Sequence, residues 1–355
     1  MIIYGSLETI SGGYLYDRKL VEFLRAAGDQ VQIVSLPWRT YSAHLRDNLD
    51  QALFALLREL RVDLLLQDEL NHPSLFWLNQ RLRRLIGYPI ISIVHHLRSS
   101  EARAAWQNTL YRLPERAYLK TVDGFVFNSQ TTKQVVTNLI GLNKPHVVAV
   151  PAGDRFGPAL PVETIQQRVG HGGPLRLVFV GNLIERKGLH TLIDALAQLD
   201  APSYMLTVVG SPTVDHDYAA RVKNLVQSHG LTERIRWTGA IADSAALGRL
   251  LVEQDVLVVP SSYEGYGIVY LEGMGFGLPA IGTTGGAAHE IIRPGTGFLI
   301  EPGDSQTLAE HLSSLINNRE GLHQMSLAAR QRFLNHPRWA DSMAAIRAFL
   351  LEQLH

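Results

Sequence analysis

The sequence predicts an α/β protein built as two doubly wound parallel-sheet domains. Three observations carry this. Short β-branched or aliphatic runs alternate with amphipathic stretches of roughly 10–20 residues, the pattern of βαβ units around a parallel sheet. The alternation passes through six strand candidates, stops in a Gly- and Pro-rich segment at 152–174, and restarts for six more. A chain of 355 residues, 46% hydrophobic and without cysteine, can bury two cores and has no disulfide framework in place of one.

In the first half the strand candidates are MIIYG (1–5), VQIVSL (31–36), VDLLLQ (62–67), PIISIV (89–94), DGFVFN (123–128) and HVVAVP (146–151). Helical patterns lie between them near 14–28, 47–60, 75–87, 101–120 and 130–141. The second set is LRLVFVG (175–181), YMLTVVG (204–210), RIRWTG (234–239), DVLVVP (255–260), PAIGT (279–283) and GFLIE (297–301). Helices are expected after it at about 304–318, 320–335 and 338–354. The domains are placed at 1–154 and 175–335, with 155–174 as linker and hinge. The last stretch, 336–355, is read as a helix returning to the first domain. Two such domains facing one another leave a cleft lined by the carboxyl ends of both sheets.

Charge and composition exclude several classes. The 33 Lys+Arg balance the 33 Asp+Glu, so no basic excess points to nucleic acid. Residues 1–170 hold 19 basic and 15 acidic side chains, and residues 171–355 hold 14 and 18. The halves thus differ in sign, about +4 against −4, as two bodies with different tasks would. The absence of cysteine removes cysteine zinc sites, iron–sulfur clusters and thiol nucleophiles. The start, MIIYGSLETISGG, lacks a basic region followed by an apolar one, and the charge-free stretch 273–288 is Gly-rich and contains Pro279. A cytoplasmic protein is expected.

Open α/β sheets bind ligands at the carboxyl ends of their strands. The loop after 255–260 reads SSYEGYGIVYLEGMGFG, with Glu264 and Glu272 eight positions apart and Gly265 and Gly267 between. Bare backbone N–H groups there can approach an anion at a helix N-terminus. The spacing also fits a turn and a helix whose acid complements the dipole. Arg186 and Lys187 stand just before a helix that starts near Gly188. Two cations at that end oppose the macrodipole, a conflict eased by a bound anion. A guanidinium fork and an ammonium together suit a diphosphate, and solvated surface cations are the plainer alternative. Ser11, Gly12 and Gly13 precede a helix, a weak phosphate-approach signal. His95 and His96 close the strand PIISIV at a ligand-facing position. Asn128, Ser129, Gly153 and Asp154 also follow strands and fit turn formation equally well.

As a set, these residues resemble the retaining GT-B glycosyltransferases called glycosyl transferases group 1, glycosyltransferase family 4. The resemblance rests on the E-x7-E element EGYGIVYLE (264–272), the basic ERKG (185–188), GTTGGAAHEII (282–292), GTGFLIEPGD (295–304) and the crossing segment VPAGDRF (150–156). It implies the GT-B fold, two Rossmann-like domains facing across a cleft. It also implies roles. Lys187 and Arg186 would hold the donor diphosphate, Glu272 the ribose hydroxyls, and Glu264 would lie near the transferred sugar. Backbone over Gly265, Tyr266, Gly267 and Ile268 would contact sugar and phosphate. His95 would lie under the reacting centre, and Gly12 and Gly13 would approach the phosphate from the first domain. His96, Asn182 and Gly210 are secondary candidates. Asn182 stands where many members carry Arg, and GGAAHE has one residue more than the family's GGxxE.

The expected reaction moves a hexose from a nucleotide diphosphate sugar to a glycan, lipid or small-molecule acceptor with retained anomeric configuration. Rivals are a GT-B nucleotide-sugar epimerase, a glycosyl phosphorylase, and a non-catalytic nucleotide-sugar-binding subunit. No cofactor and no metal are expected. Asp215 and Asp217 have D-x-D spacing but precede a helix, where acids complement the dipole. Base contacts are placed near Gly210–Pro212 and Thr238–Ala240. Lys187→Ala is expected to spare the fold, on the view that the empty site is exposed. On the acceptor side Arg81, Arg84, Arg116 and Lys120, with Trp106, Tyr111 and Tyr118, suggest peripheral contact with the inner membrane face, though Pro114 is read as breaking that stretch.

Overall fold

Each of the twelve apolar runs forms a strand, and every strand pairs in parallel with its neighbours. The computed structural model describes residues 1–354. It divides into two units, Met1–Pro151 with the chain from Trp339, and Ala152–Arg338.

The first unit contains β1 (Ile2–Tyr4), α1 (Gly12–Ala26), β2 (Val34–Leu36), α2 (Tyr41–Asp47), α3 (Gln51–Glu59), β3 (Leu65–Asp68), α4 (His72–Leu82), β4 (Ile90–Val94), α5 (Ala105–Thr121), β5 (Gly124–Phe127), α6 (Gln130–Ile140) and β6 (His146–Val148). Its sheet order is β2-β1-β3-β4-β5-β6, so the winding reverses between β1 and β3. Helices cover both faces, which is why β4 reads as a continuous apolar run. Ile90, Ile91, Ile93 and Val94 are all fully buried. Local chemistry sets the helix starts. The Ser11 side chain accepts from Tyr14 N to cap α1, and Ser129 accepts from Thr132 N to cap α6. The stretch read as one helix at 47–60 is two, because Asn48 leaves α2 and Asp50 caps α3.

The second unit contains α7 (Val162–Gly170), β7 (Leu175–Val180), α8 (Leu189–Leu196), β8 (Tyr204–Val209), α9 (His216–Ser228), β9 (Ile235–Gly239), α10 (Ser244–Val252), β10 (Val256–Val258), α11 (Ile268–Gly275), β11 (Ala280–Thr283), β12 (Gly297–Ile300), α12 (Ser305–Asn317) and α13 (Arg319–Leu334). The order β12-β11-β10-β7-β8-β9 reverses between β7 and β10, the position at which open α/β sheets bind ligands. The final helix, α14 (Trp339–Glu352), belongs to the first unit and packs on α1. There Arg347 grips Asp29 with two hydrogen bonds, of 2.7 and 3.0 Å, and Ser342 Oγ donates to Val150 O at 2.7 Å.

One segment departs from its expected state. Residues 155–174, read as linker, contain α7. A nine-residue helix is marginal alone. Tertiary contacts hold this one: Ile165 and Val169 are buried, and Arg168 donates to Phe276 O at 2.8 Å and Gly277 O at 2.9 Å. That backbone-anchored arginine leaves only the flanks, with Gly157, Gly172 and Gly173, in linker conformation.

Candidate functional site

In the second unit the site forms at the sheet's switch point. Arg186 and Lys187 lie in a short 3-10 turn, Glu185–Lys187, after β7, and Glu264 lies in the loop after β10. The Glu264 loop is pinned by the GG segment after β11. Glu264 N donates to Gly285 O at 3.0 Å, and Ala287 N donates to Glu264 O at 2.8 Å. At Gly286, with φ of 86°, a Cβ would lie 2.1 Å from Glu264 O, so only glycine permits this approach. The extra residue in GGAAHE lies beyond this contact.

The three charged side chains meet. Lys187 Nζ donates to Glu264 Oε1 at 2.6 Å, Ser261 Oγ donates to the same oxygen at 2.6 Å, and Arg186 Nη1 is 3.7 Å from Oε2. Arg186 Nη1 also donates to Tyr263 O at 2.7 Å. Burial alone would raise the Glu264 carboxyl, but Lys187 and Arg186 outweigh it and hold it down to about 2. Burial lowers the Lys187 ammonium, and Glu264 opposes that. The anion that reconciles two cations with the helix end is therefore Glu264 itself, reached across 77 residues. The view that the empty site is exposed fails here: only 16% of the Lys187 side chain and 8% of that of Glu264 meet solvent.

Glu272 sits in α11, 5% exposed, and its carboxylate is already occupied. Arg155 Nε donates to Oε1 at 2.5 Å and Nη2 to Oε2 at 3.0 Å. Arg155 lies in VPAGDRF, and nothing in its sequence neighbourhood marks it as the partner of a residue 117 positions away. Gly267, with φ of 94°, caps the N-terminus of α11, so Gly265, Tyr266, Gly267 and Ile268 form the approach to that helix end. The Tyr266 side chain is buried and its hydroxyl pairs with His336 Nε2 at 3.1 Å. Only the backbone of Tyr266 is thus available to a ligand. Gly210 has a packing reason to be glycine, since a Cβ there would lie 1.8 Å from Gly181 O. Asn182 is half-buried after β7, its carbonyl accepting from Ile184 N at 2.9 Å. Asp215 caps α9 through Tyr218 N at 3.0 Å, and Asp217 lies in that helix's first turn.

In the first unit the loop of Gly12 and Gly13 opens α1, and a Cβ on Gly13 would lie 3.4 Å from His95 Cδ2, so the histidine ring seats against this turn. His95 Nε2 is 3.1 Å from Asp17 Oδ1. His96 turns elsewhere, with Nε2 3.2 Å from Glu101 Oε1. Asn128, read as turn-forming, donates to the His95 carbonyl at 2.8 Å.

A second polar cluster escaped sequence reading. Glu69, His72 and Glu115 are all buried. Tyr41 Oη lies 3.0 Å from His72 Nε2, and Ser99 N and Oγ donate to Glu115 at 3.1 and 2.5 Å. Burial pushes Glu69 and Glu115 up to about 7 and His72 down to about 4. Among the described residues, two trios bring ligand-type atoms within 4.8 Å of one another, this one and Asp17, Asp68 and His95.

Comparison with known proteins decides the family. The model for Glycosyltransferase Family 4 matches residues 15–153, and that for Glycosyl transferases group 1 matches residues 162–332. The chain belongs to the group 1, family 4 glycosyltransferases. Two six-stranded parallel sheets with flanking helices are the GT-B architecture of this family's solved relatives. Sucrose-phosphate synthase from Thermosynechococcus elongatus superposes with a TM-score of 0.83 at 21% identity, over 99% of this chain and 98% of that one. The Anabaena protein HepE in complex with UDP-glucose gives 0.78 at 19% identity, over 99% of both chains. In sequence, glycogen synthase of Mycobacterium tuberculosis is 26% identical over 76% of this chain. That match covers 63% of the synthase's own length, and the chain spans about half to two thirds of such curated relatives.

Proposed function

We propose that the chain transfers a hexose from a nucleotide diphosphate sugar to an acceptor, with retention and without a metal. One observation carries the reading: Lys187, Arg186 and Glu264 converge where the second sheet's winding reverses. An incoming diphosphate meets an ammonium and a guanidinium already fixed in place, which stabilises the charge developing on the leaving group. The C1–O bond to the diphosphate breaks with its electron pair going to phosphate. The acceptor oxygen bonds C1 on the same face, and its proton passes to the departing diphosphate. Glu272, held by Arg155, would take the ribose hydroxyls, and His95 would lie under the reacting centre. The UDP-glucose complex of HepE, a protein of the same fold, supports the donor class.

A donor panel tests this. Release of nucleoside diphosphate is measured with and without candidate acceptors, in EDTA, and the product anomer is read by NMR. Acceptor-dependent release with retained configuration is expected. Interconversion of the sugar without transfer would replace the reading by an epimerase, and binding without turnover by a non-catalytic subunit.

We propose further that the acceptor side meets an anionic lipid surface, through a set that keeps Trp106, Arg116 and Lys120 of the residues the sequence suggested and replaces the others. Tyr118 is fully buried, and Tyr111 is enclosed by Tyr41 and the guanidinium groups of Arg98 and Arg103. Arg84 lies beyond α4, and Arg81 stacks on Phe54. Pro114 lies within α5 and leaves it unbroken. On that face Trp106, Leu110 and Leu113 are 65%, 58% and 65% exposed, beside exposed Arg112, Arg116 and Lys120. The helix's one acid, Glu115, is buried, so its solvent face carries apolar and cationic side chains and no acid. No helix among the described residues is long and apolar enough to cross a membrane. Co-sedimentation with vesicles should rise with the anionic lipid fraction, fall with salt, and drop at least tenfold in Trp106→Ser/Leu113→Ser. Protein left in the supernatant at low salt with strongly anionic vesicles would reject the surface.

A further inference from the structure

The ring of His95 is more tightly held than a strand-end side chain needs to be. Its carbonyl accepts from Asn128 Nδ2 at 2.8 Å and Thr132 Oγ1 at 3.3 Å. Tyr16 meets the ring edge-on, centroids 5.2 Å apart at 85°, and is itself anchored by its hydroxyl to Ala149 O at 2.7 Å. Only 13% of the side chain is exposed. Nε2 is paired at 3.1 Å with Asp17 Oδ1, from the second turn of α1.

Asp17 is the unusual member. It is fully buried on a helix face otherwise made of Tyr16, Leu20, Val21 and Leu24. Its second oxygen, Oδ2, has no hydrogen-bond partner. A buried carboxylate with an unsatisfied oxygen costs stability unless a cation compensates it. An asparagine would make the same bond to the ring at far lower cost. What the carboxylate adds is charge. We infer that Asp17 is a positioning residue for the reaction: through Oδ1 it fixes the His95 ring and holds it as an imidazolium, leaving Nδ1–H as the donor toward the reacting sugar. The inference rests on the reading of His95 as lying at the reacting centre. A ring that stays cationic cannot take a proton from the acceptor. It can only donate to an oxygen that gains charge as the diphosphate departs.

The surroundings agree in sign. Burial alone would lower the His95 pKa. Asp17 opposes this most strongly, followed by Asp68 and Glu69 at the end of β3 and in the turn beyond, and the outcome is a rise to about 9. Asp68 is itself pushed up to about 8, first by burial and then by the Asp17 charge. A raised histidine stabilises the fold fully below its ordinary value near 6.5, and that contribution fades as pH rises through about 9.

The test is Asp17→Asn, which keeps shape and an acceptor but removes the charge. His95 is followed by imidazole NMR in EDTA, its signal assigned by its loss in His95→Gln. In the wild type it should titrate near 9. In Asp17→Asn its proton affinity should drop a hundredfold or more, and the basic limb of the kcat–pH profile should move down by the same amount with donor KM changed less than threefold. Asp68→Asn should shift the titration far less. A titration that Asp17→Asn leaves in place, or a wild-type midpoint at or below the ordinary histidine value, overturns the proposal; the second holds even if the variant does not fold. A shifted titration with an unmoved basic limb also overturns it, reducing the pair to a structural one. Wild-type protein that turns over no donor, yet shows the shifted titration, would instead remove the proposed reaction.

Discussion

Lys187→Ala is expected to lower kcat/KM for nucleotide diphosphate release by about a hundredfold or more. Removing one preorganised charge from a leaving group costs ~2–4 kcal/mol of transition-state stabilisation. The structure adds a second consequence. Lys187 Nζ is the closest cation to Glu264, at 2.6 Å, and the carboxylate is buried. Truncation leaves that charge with Arg186 at 3.7 Å and Ser261 alone. Breaking a buried pair from one side costs ~3–5 kcal/mol, so the variant should also melt earlier than the wild type. Combining Lys187→Ala with Glu264→Gln separates the effects, because it removes the orphaned charge without restoring the cation. Stability should recover and turnover should not. Wild-type kcat/KM in a folded Lys187→Ala variant would remove the diphosphate assignment.

Glu272→Ala should weaken nucleoside diphosphate binding roughly tenfold to a hundredfold, the loss of charge-assisted hydrogen bonds to ribose worth ~1.5–3 kcal/mol. Inorganic diphosphate lacks the ribose, so its affinity should stay within a factor of about three. Lys187→Ala should weaken both. Arg155 sharpens the comparison, since its guanidinium holds both Glu272 oxygens, at 2.5 and 3.0 Å. Arg155→Ala should then reproduce part of the Glu272→Ala loss if the arginine orients the carboxylate. Calorimetry on both ligands reads the difference, and equal losses for nucleoside and inorganic diphosphate would refute the ribose role.

Much of the fold was legible because its signals are local. A run such as PIISIV, followed and preceded by helical patterns, reads as a strand buried on both faces, and caps such as Ser11 and Ser129 act within three residues. The second-unit site was legible for a related reason. Glycines and charges just after strands fall at one sheet edge whatever the rest of the chain does. Helix α7 was not legible, because its stability comes from Arg168 reaching carbonyls more than a hundred residues away. The residues proposed to meet a lipid surface were only partly legible, for want of a burial map. Tyr118 and Trp106 look alike in a helical pattern, yet one is fully buried and the other 65% exposed.

By itself, then, the sequence determined two rounds of strand–helix alternation, the strands that carry Lys187, Glu264 and His95, and the family motifs around them. Periodicity and turn chemistry depend on neighbours along the chain, so no tertiary knowledge was needed. The tertiary structure alone decided which charges meet. Glu264 with Lys187, Glu272 with Arg155, and His95 with Asp17 join residues 77, 117 and 78 positions apart. Such pairings depend on strand order and on the depth to which a side chain is buried. A desolvated charge must find its counter-ion, and only the packed fold brings one within reach.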